Sequence, residues 1–204
     1  MLKMEKEYNE KFGDISLDSE ERVKYLFENT NLSRCKLDFY AEKDRIENIK
    51  WTTLKYTMYI LPKGTPRPRL GKHNIFYVAG ASNNKKFFKN HYKEYINEDI
   101  TLIKTPCKFK CISYLPIPKS MSPVEKILAE LGYGYAVSKP DWDNLAKAYC
   151  DMIQDTLLYD DSLIIDGRSI KKYSIKPRVE VEISYMNEYD LKYNEKKFIT
   201  KGLM

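Results

Sequence analysis

Between residues 141 and 166 the chain carries seven aspartates, Asp141, Asp143, Asp151, Asp155, Asp160, Asp161 and Asp166, and a single basic residue, Lys147. Asp141 and Asp143 flank Trp142. If the chain approaches this point extended, alternate side chains project to one side, and both carboxylates come within reach of one cation. Asp143, Lys147 and Asp151 are four residues apart, so on a helix they form one stripe with the lysine between two acids. Asp160 and Asp161 follow the apolar run Leu157-Leu158-Tyr159, and a short turn there would return Asp161 to the first pair. Three aspartates and no histidine suit magnesium, a hard ion that takes carboxylate oxygens and leaves its other positions to water and substrate phosphate; manganese is the substitute to expect. Such an ion neutralises charge on a phosphodiester and activates water, while a neighbouring lysine stabilises the negative charge that develops. Asp141, Asp143 and Asp161 are the candidate ligands, and Lys147 is the candidate for the second role.

The spacing alone fits a plainer reading at least as well. Asp143 or Asn144 can cap a helix, Lys147 and Asp151 can pair on its surface, and Asp160-Asp161 can be turn residues. In a third version the aspartates bind calcium only to stiffen the fold.

The positioning element is expected to be a helix whose buried face is marked by Leu145, Ala148, Tyr149, Met152 and Ile153, starting from a cap at Asp143 or Asn144. Upstream, Leu54, Tyr56, Met58 and Ile60 alternate with more polar residues as in a half-buried strand that Pro62 ends. The stretch Pro62 to Lys72 holds three prolines and two glycines, which exclude a helix or a central strand and predict a loop standing out from the body. Ile75 to Ala79 predicts a strand, and a helix follows from Ser82 to Asn97 with Phe88, Tyr92, Tyr95 and Ile96 as its apolar stripe. Phe109 to Leu115 predicts another strand. Ser122-Pro123-Val124-Glu125 combines a cap, a proline at the first position and a returning glutamate, so a helix starts there and runs to Leu131. Ile164 to Ile175 and Arg178 to Met186 read as two closing strands with Pro177 in the turn between them. Near the N-terminus, Asp18 and Glu21 form a capping-box pattern ahead of a helix over 19–28, whereas 29–52 show no clear period.

The basic residues are as unevenly placed as the acidic ones. Lys63, Arg67, Arg69, Lys72, Lys85, Lys86, Lys89 and Lys93 fall between Pro62 and Lys93 with no Asp or Glu among them. Phe76, Tyr77, Phe87, Phe88 and Tyr92 interleave with them, so the segment can anchor on a core and present cations to phosphates. A solvated basic face is the bland alternative. The formal net charge of +6 agrees with a polyanionic partner but decides little.

Composition narrows the chemistry further. His73 and His91 are the only histidines, which leaves little for a zinc site or a Ser-His-Asp relay. Cys35, Cys107, Cys111 and Cys150 form no C-x-x-C pair and are read as reduced thiols. With 17 Tyr, eight Phe and only eight Gly in 204 residues, the chain can bury enough apolar area to fold. No apolar run long enough for a membrane span and no secretory leader are read from it, so the cytoplasm is the expected location.

The run Lys139-Pro140-Asp141-Trp142-Asp143-Asn144-Leu145-Ala146-Lys147, with Asp151 and then Tyr159-Asp160-Asp161-Ser162, resembles the signature of the RusA family of Holliday-junction resolvases, D-x-D-N-L-x-K followed by D-D. Lys63 to Arg69 resembles the family's proline-and-arginine loop, and Lys171-Lys172-Tyr173 with Pro177-Arg178-Val179-Glu180 its closing strands, so the likeness covers 54–186. It implies that Asp141, Asp143 and Asp161 bind a divalent metal, that Lys147 is the essential lysine, that Asp160 supports them, and that the protein is a homodimer cutting branched DNA symmetrically. DNA contacts are expected from Lys63, Arg67, Arg69, Lys72, Lys85, Lys86, Lys89 and Lys172. Two features depart from the pattern: Asp155 stands where the family often has glycine, and the first fifty or so residues have no counterpart in compact members.

The expected architecture is α/β of the α+β kind. One domain over 53–186, a mixed sheet packed by helices, is preceded by a partly helical extension, 1–52, and followed by a polar tail, 187–204. The expected function is magnesium-dependent resolution of four-way DNA junctions in recombination and repair. The alternative is a protein of the same fold that binds branched DNA without cleaving it.

Overall fold

Strands form where apolar residues alternate, and the alternation also decides which sheet face is covered. In the computed structural model, residues 18–29, 36–65, 69–70, 75–76, 81–97, 99 and 101–189 are described, with backbone alone at 69–70, 75–76 and 81–82. Arg67, Lys72, Cys35 and residues 190–204 lie outside them, as does the side chain of Arg69. The chain divides into two units, Met1–Ile49 and Lys50–Met204.

In the first unit, α1 spans Ser19–Asn29. The Asp18 carboxylate accepts the Glu20 and Glu21 N–H groups at 2.9 Å each, the cap the sequence predicts. A second helix, α2 (Lys36–Glu47), occupies the stretch in which no period could be read. It has no apolar stripe to reveal it and carries surface pairs instead, Arg45 with Glu42 at 2.6 Å and Lys43 with Glu47 at 3.6 Å.

The second unit is built on a four-stranded sheet. Its strands are β1 (Trp51–Met58), β4 (Cys107–Pro116), β5 (Ile164–Ser174) and β6 (Arg178–Met186), in the order β1-β6-β4-β5. β1 begins three residues before the apolar alternation at Leu54 makes it visible. β6 runs antiparallel to both β1 and β4, whereas β4 and β5 are parallel. The two closing strands therefore do not pair with each other, although only Ile175 to Pro177 separate them; β4 lies between. A two-residue ribbon, β2 (Arg69–Leu70) with β3 (Ile75–Phe76), stands apart from this sheet.

Among the described residues of this unit, three α-helices accompany the sheet: α3 (Ala81–Tyr95), α4 (Pro123–Glu130) and α5 (Trp142–Ile153). On one sheet face Leu54, Tyr56, Met58, Phe109, Cys111, Val179, Val181 and Ile183 meet Phe88 of α3 and Leu145, Tyr149, Met152 and Ile153 of α5 in one core. Each large side chain so buried contributes about 1.5–3 kcal/mol. Cys107, Cys111 and Cys150 are free thiols, and burial pushes them up to about 11, about 12 and about 12, so they stay protonated and inert. The result is an α+β domain, as the sequence predicts. No helix among the described residues is long and apolar enough to cross a membrane.

Candidate active site

The acidic motif opens at the N-terminus of α5. Asp141 is the N-cap residue, extended at φ −67° and ψ 153°, but its side chain makes no cap hydrogen bond. The helix therefore starts earlier than a cap at Asp143 or Asn144 would allow. It also removes the premise of an extended Asp141-Trp142-Asp143: Trp142 and Asp143 are already helical, so the two acids share the first turn instead of a strand-like face. A helix N-terminus favours negative charge by about 0.3–1 kcal/mol, which accounts for acids here without requiring a ligand.

Two clasps hold this turn. On the sheet side, the Trp142 indole N–H donates to the Ser169 carbonyl on β5 at 2.6 Å, and the Ser138 and Tyr173 hydroxyls are 3.1 Å apart. Lys171 donates to the Ser138 carbonyl at 2.5 Å. On the other side lies the start of the proline loop. Lys63 N–H donates to the Tyr149 hydroxyl at 3.1 Å and Thr65 N–H to the Asn144 carbonyl at 3.5 Å. Pro62 is buried. The base of this loop is thus packed on α5 and does not stand out from the body.

Lys147 is exposed one turn further along, and Asp151, half-buried, follows. After α5 the chain reverses tightly: Asp155 N–H donates to the Leu158 carbonyl at 2.8 Å, Ile103 N–H to the Leu157 carbonyl at 2.8 Å, and Tyr159 N–H to the Ile103 carbonyl at 3.0 Å. Asp155 takes φ 62°, the left-handed region in which glycine is at ease. Its carboxylate binds Lys85 Nζ of α3 at 2.5 Å, so the residue that departs from the family pattern ties α3 to the turn. Asp160 then caps a 3-10 turn, Asp161–Leu163, by accepting the Ser162 N–H at 3.0 Å, and Asp161 is exposed at its start.

The turn does bring Asp161 back to α5, at the level of Asp151. Burial pushes the Asp151 carboxyl above the usual carboxylate range; Lys147 pulls it down, Asp161 pushes it up and Lys85 pulls it down. Asp151 lies eight residues beyond Asp143, roughly 12 Å along a helix axis. Among the described residues no three His, Cys, Asp or Glu side chains cluster closely enough to hold an ion by themselves. Magnesium asks for less: it is commonly bound by one or two carboxylates, with water and substrate phosphates completing its shell. The expected convergence of all three carboxylates is therefore not found among the described residues, and the exposed oxygens of Asp141, Asp143 or Asp161 would supply only the one or two that the ion needs. Asp151, which the sequence reads as a partner for Lys147 at i, i+4 spacing, is thus a neighbour of Asp161 as well.

A raised carboxyl in the folded state is a penalty at high pH. The penalty is full above the folded value and disappears below the unfolded one, near 3.8. In chelator at neutral pH, Asp151→Asn is therefore expected to raise the thermal midpoint, and the difference from wild type should vanish as the pH falls to 4 and below. A lower midpoint for the variant at neutral pH would mean that Asp151 stabilises the metal-free fold and does not belong to a strained acidic site.

The expected DNA contacts separate into groups. Lys63, Lys86 and Lys89 are exposed, while Lys85 is half-buried and paired. Lys172 registers beside Tyr114 and alternates with Lys171 and Tyr173, which face the 138–142 segment. It therefore lies on the opposite sheet face from α5. Arg67, Arg69 and Lys72 carry no described side chain.

The family model for endodeoxyribonuclease RusA matches residues 60–184. The chain belongs to the RusA family. The match begins past the first unit and takes in the clasped loop, α5, the returning turn and the closing strands. RusA-family proteins are Holliday-junction resolvases, endonucleases that act on branched DNA and depend on a divalent metal. The chain is also 33% identical over 134 residues to the uncharacterized protein YqaN of Bacillus subtilis (strain 168), covering 64% of this chain and 94% of that one.

Proposed function

We propose that this RusA-family chain is a magnesium-dependent, structure-selective endonuclease that resolves four-way DNA junctions by symmetric phosphodiester hydrolysis in recombination and repair. The reading is carried by one arrangement: an exposed lysine set along α5 between an acidic first turn and an acidic pair returned by the turn after the helix. Asp141, Asp143 and Asp161 would hold the ion, with manganese able to replace magnesium. A bound divalent ion supplies Lewis acidity and charge neutralisation at the phosphodiester.

The chain's own groups do the rest. Lys147 offers an ammonium to a phosphate or leaving oxygen. Asp151, four residues on, holds that ammonium in the stripe by attraction. The bonds from Trp142 to β5 and from the proline loop to Asn144 and Tyr149 fix the turn that carries Asp141 and Asp143. Exposed Lys63, Lys86 and Lys89, together with Arg67, Arg69 and Lys72, would meet the sugar-phosphate backbone. A homodimer would present two equivalent sites to two equivalent strands.

Incubation of the protein with a synthetic four-way junction and magnesium, or manganese, tests this directly. Paired nicks near the crossover are expected, and Asp143→Asn should abolish them while the junction still shifts in a gel. Tight binding with no nicks in either metal would favour the branched-DNA-binding alternative. Cleavage unchanged in Asp143→Asn would remove the assigned chemistry.

A further inference from the structure

Residues Gln154 to Asp160 carry the chain from the end of α5 to Asp161. The middle of this turn is held by the core: Leu157 and Leu158 are buried, and their N–H groups donate to the Ile153 carbonyl at 2.9 and 3.2 Å. Its outer corner, Asp155, is exposed. Among the described residues it is the one non-glycine residue in the left-handed region, at φ 62°. A Cβ is strained there and a glycine is not. Strain that persists where glycine would relieve it points to a side chain with a task.

The task is visible on the neighbouring helix. The Asp155 carboxylate meets Lys85 Nζ at 2.5 Å, with the two side chains 63% and 35% exposed. Ion pairs so open to water contribute little to folding, so stability does not account for a strained acid at this corner. What the pair does fix is position. Lys85 precedes Phe88 by three residues and so rises from the same side of α3 as that ring, which is buried in the core shared with α5. A corner tied to Lys85 is therefore tied to an anchored helix. The turn ends at Asp160, whose carboxylate caps the 3-10 turn that Asp161 opens. Lys85 also acts on Asp151, as Lys147 and Asp161 do, so its ammonium lies within electrostatic reach of the acidic line itself.

We propose that Lys85 and Asp155 are positioning residues for Asp161: their bond pins the returning turn to α3 and holds the Asp161 carboxylate at the place beside α5 where a divalent ion would be taken up. The inference rests on the reading of Asp161 as a ligand. Glycine, which the family often has at the position of Asp155, would make the same turn at ease and leave its corner untied. This chain gives up that ease for a fixed carboxylate. Lys85 is then engaged by the protein's own acid, in contrast to the exposed Lys86 and Lys89, which remain open to phosphate.

Manganese uptake by the full chain without DNA, read from the electron paramagnetic resonance of the free ion, tests this beside single-turnover junction cleavage at rising magnesium. Asp155→Gly removes the carboxylate and suits the backbone; Lys85→Met removes the ammonium and leaves the backbone alone. Each should raise the half-saturating concentration of both ions about 10-fold, the low end of what partners of a metal-binding side chain contribute. The melting temperature in chelator and the cleavage rate at saturating magnesium should change little. The double variant should lose no more than either single one, because both act through one bond, and Lys85→Arg, which keeps the bond, should stay close to wild type. Additive losses in the double variant, or half-saturating concentrations unchanged in either single one, would overturn the inference. So would weaker junction binding in Lys85→Met but not in Asp155→Gly, which would assign Lys85 to DNA. Uptake indifferent to Asp161→Asn would fault the ligand reading and the inference with it. Uptake that needs Lys85, Asp155 and Asp161 in a protein that never nicks a junction would leave the inference standing and fault the nuclease reading alone.

Discussion

Lys147→Met is expected to slow junction cleavage by about 10²–10³-fold, the loss of about 3–4 kcal/mol typical when a donor aimed at transition-state charge is removed. The substitution keeps an unbranched stem of about the same length, with sulfur in place of one methylene, and deletes the ammonium. Lys147 is exposed and lies on the stripe opposite Leu145, Ala148 and Tyr149, which are buried, so folding should be untouched. Its loss does remove the attraction that holds the Asp151 carboxyl down. The competing view, a surface pair with Asp151, predicts a stability change of about 0.2–0.5 kcal/mol and no effect on rate. Single-turnover rates on a saturating junction separate the two. Arginine is not an innocent replacement, because its planar fork cannot occupy the place of a compact ammonium. Lys147→Arg should therefore recover little, and a variant without the ammonium that cuts at nearly the wild-type rate would end the assignment.

The sequence made some elements visible because their signals are local. Ser122, Pro123 and Glu125 announce α4, and both reciprocal bonds of its cap are present. The apolar spacing of Leu145 to Ile153 announces α5, and all five of those residues are buried. What is local and apolar can be read. The start of α5 could not, since Asp141, Asp143 and Asn144 are all good caps, and only the backbone shows that Trp142 is already helical. Nor could α2, whose apolar residues gather on no one face and so leave no period.

Non-local relations were harder still. Adjacent strands in sequence usually pair, yet β5 and β6 flank β4, and it is the alternation along β5, with Lys171 and Tyr173 turned to Ser138, that sets Lys172 on the other sheet face. The partner of Asp161 depended on how tightly residues 154–159 turn, which is set by Ile103, more than fifty residues upstream. The choice of Asp155 at a left-handed position looked like a defect of the pattern until its carboxylate met Lys85. Charge and motif spacing therefore marked which residues matter, while the folded chain decided which of them are neighbours.

Gly64→Val is expected to leave a folded protein that cuts about 10²-fold more slowly, an effect available to a displacement of about 1 Å at reacting groups. The loop after β1 approaches α5 so closely that a Cβ on Gly64 would overlap Asn144 Nδ2 and sit 2.9 Å from its Cγ and 3.3 Å from Pro140 Cβ. Asn144 is next to Asp143, and Pro140 is next to Asp141. Relief of the overlap must move either the loop, which is tied to Tyr149 and Asn144, or the acidic turn itself. Overpacking of this kind costs about 1–3 kcal/mol, within what a domain of this size tolerates. The loss should therefore show in cleavage more than in the melting temperature, and junction affinity, spread over many exposed cations, should fall less than rate. Equal losses in stability and cleavage, or full activity with valine in place, would show that this close approach shapes the fold and has no bearing on the alignment of Asp141 and Asp143.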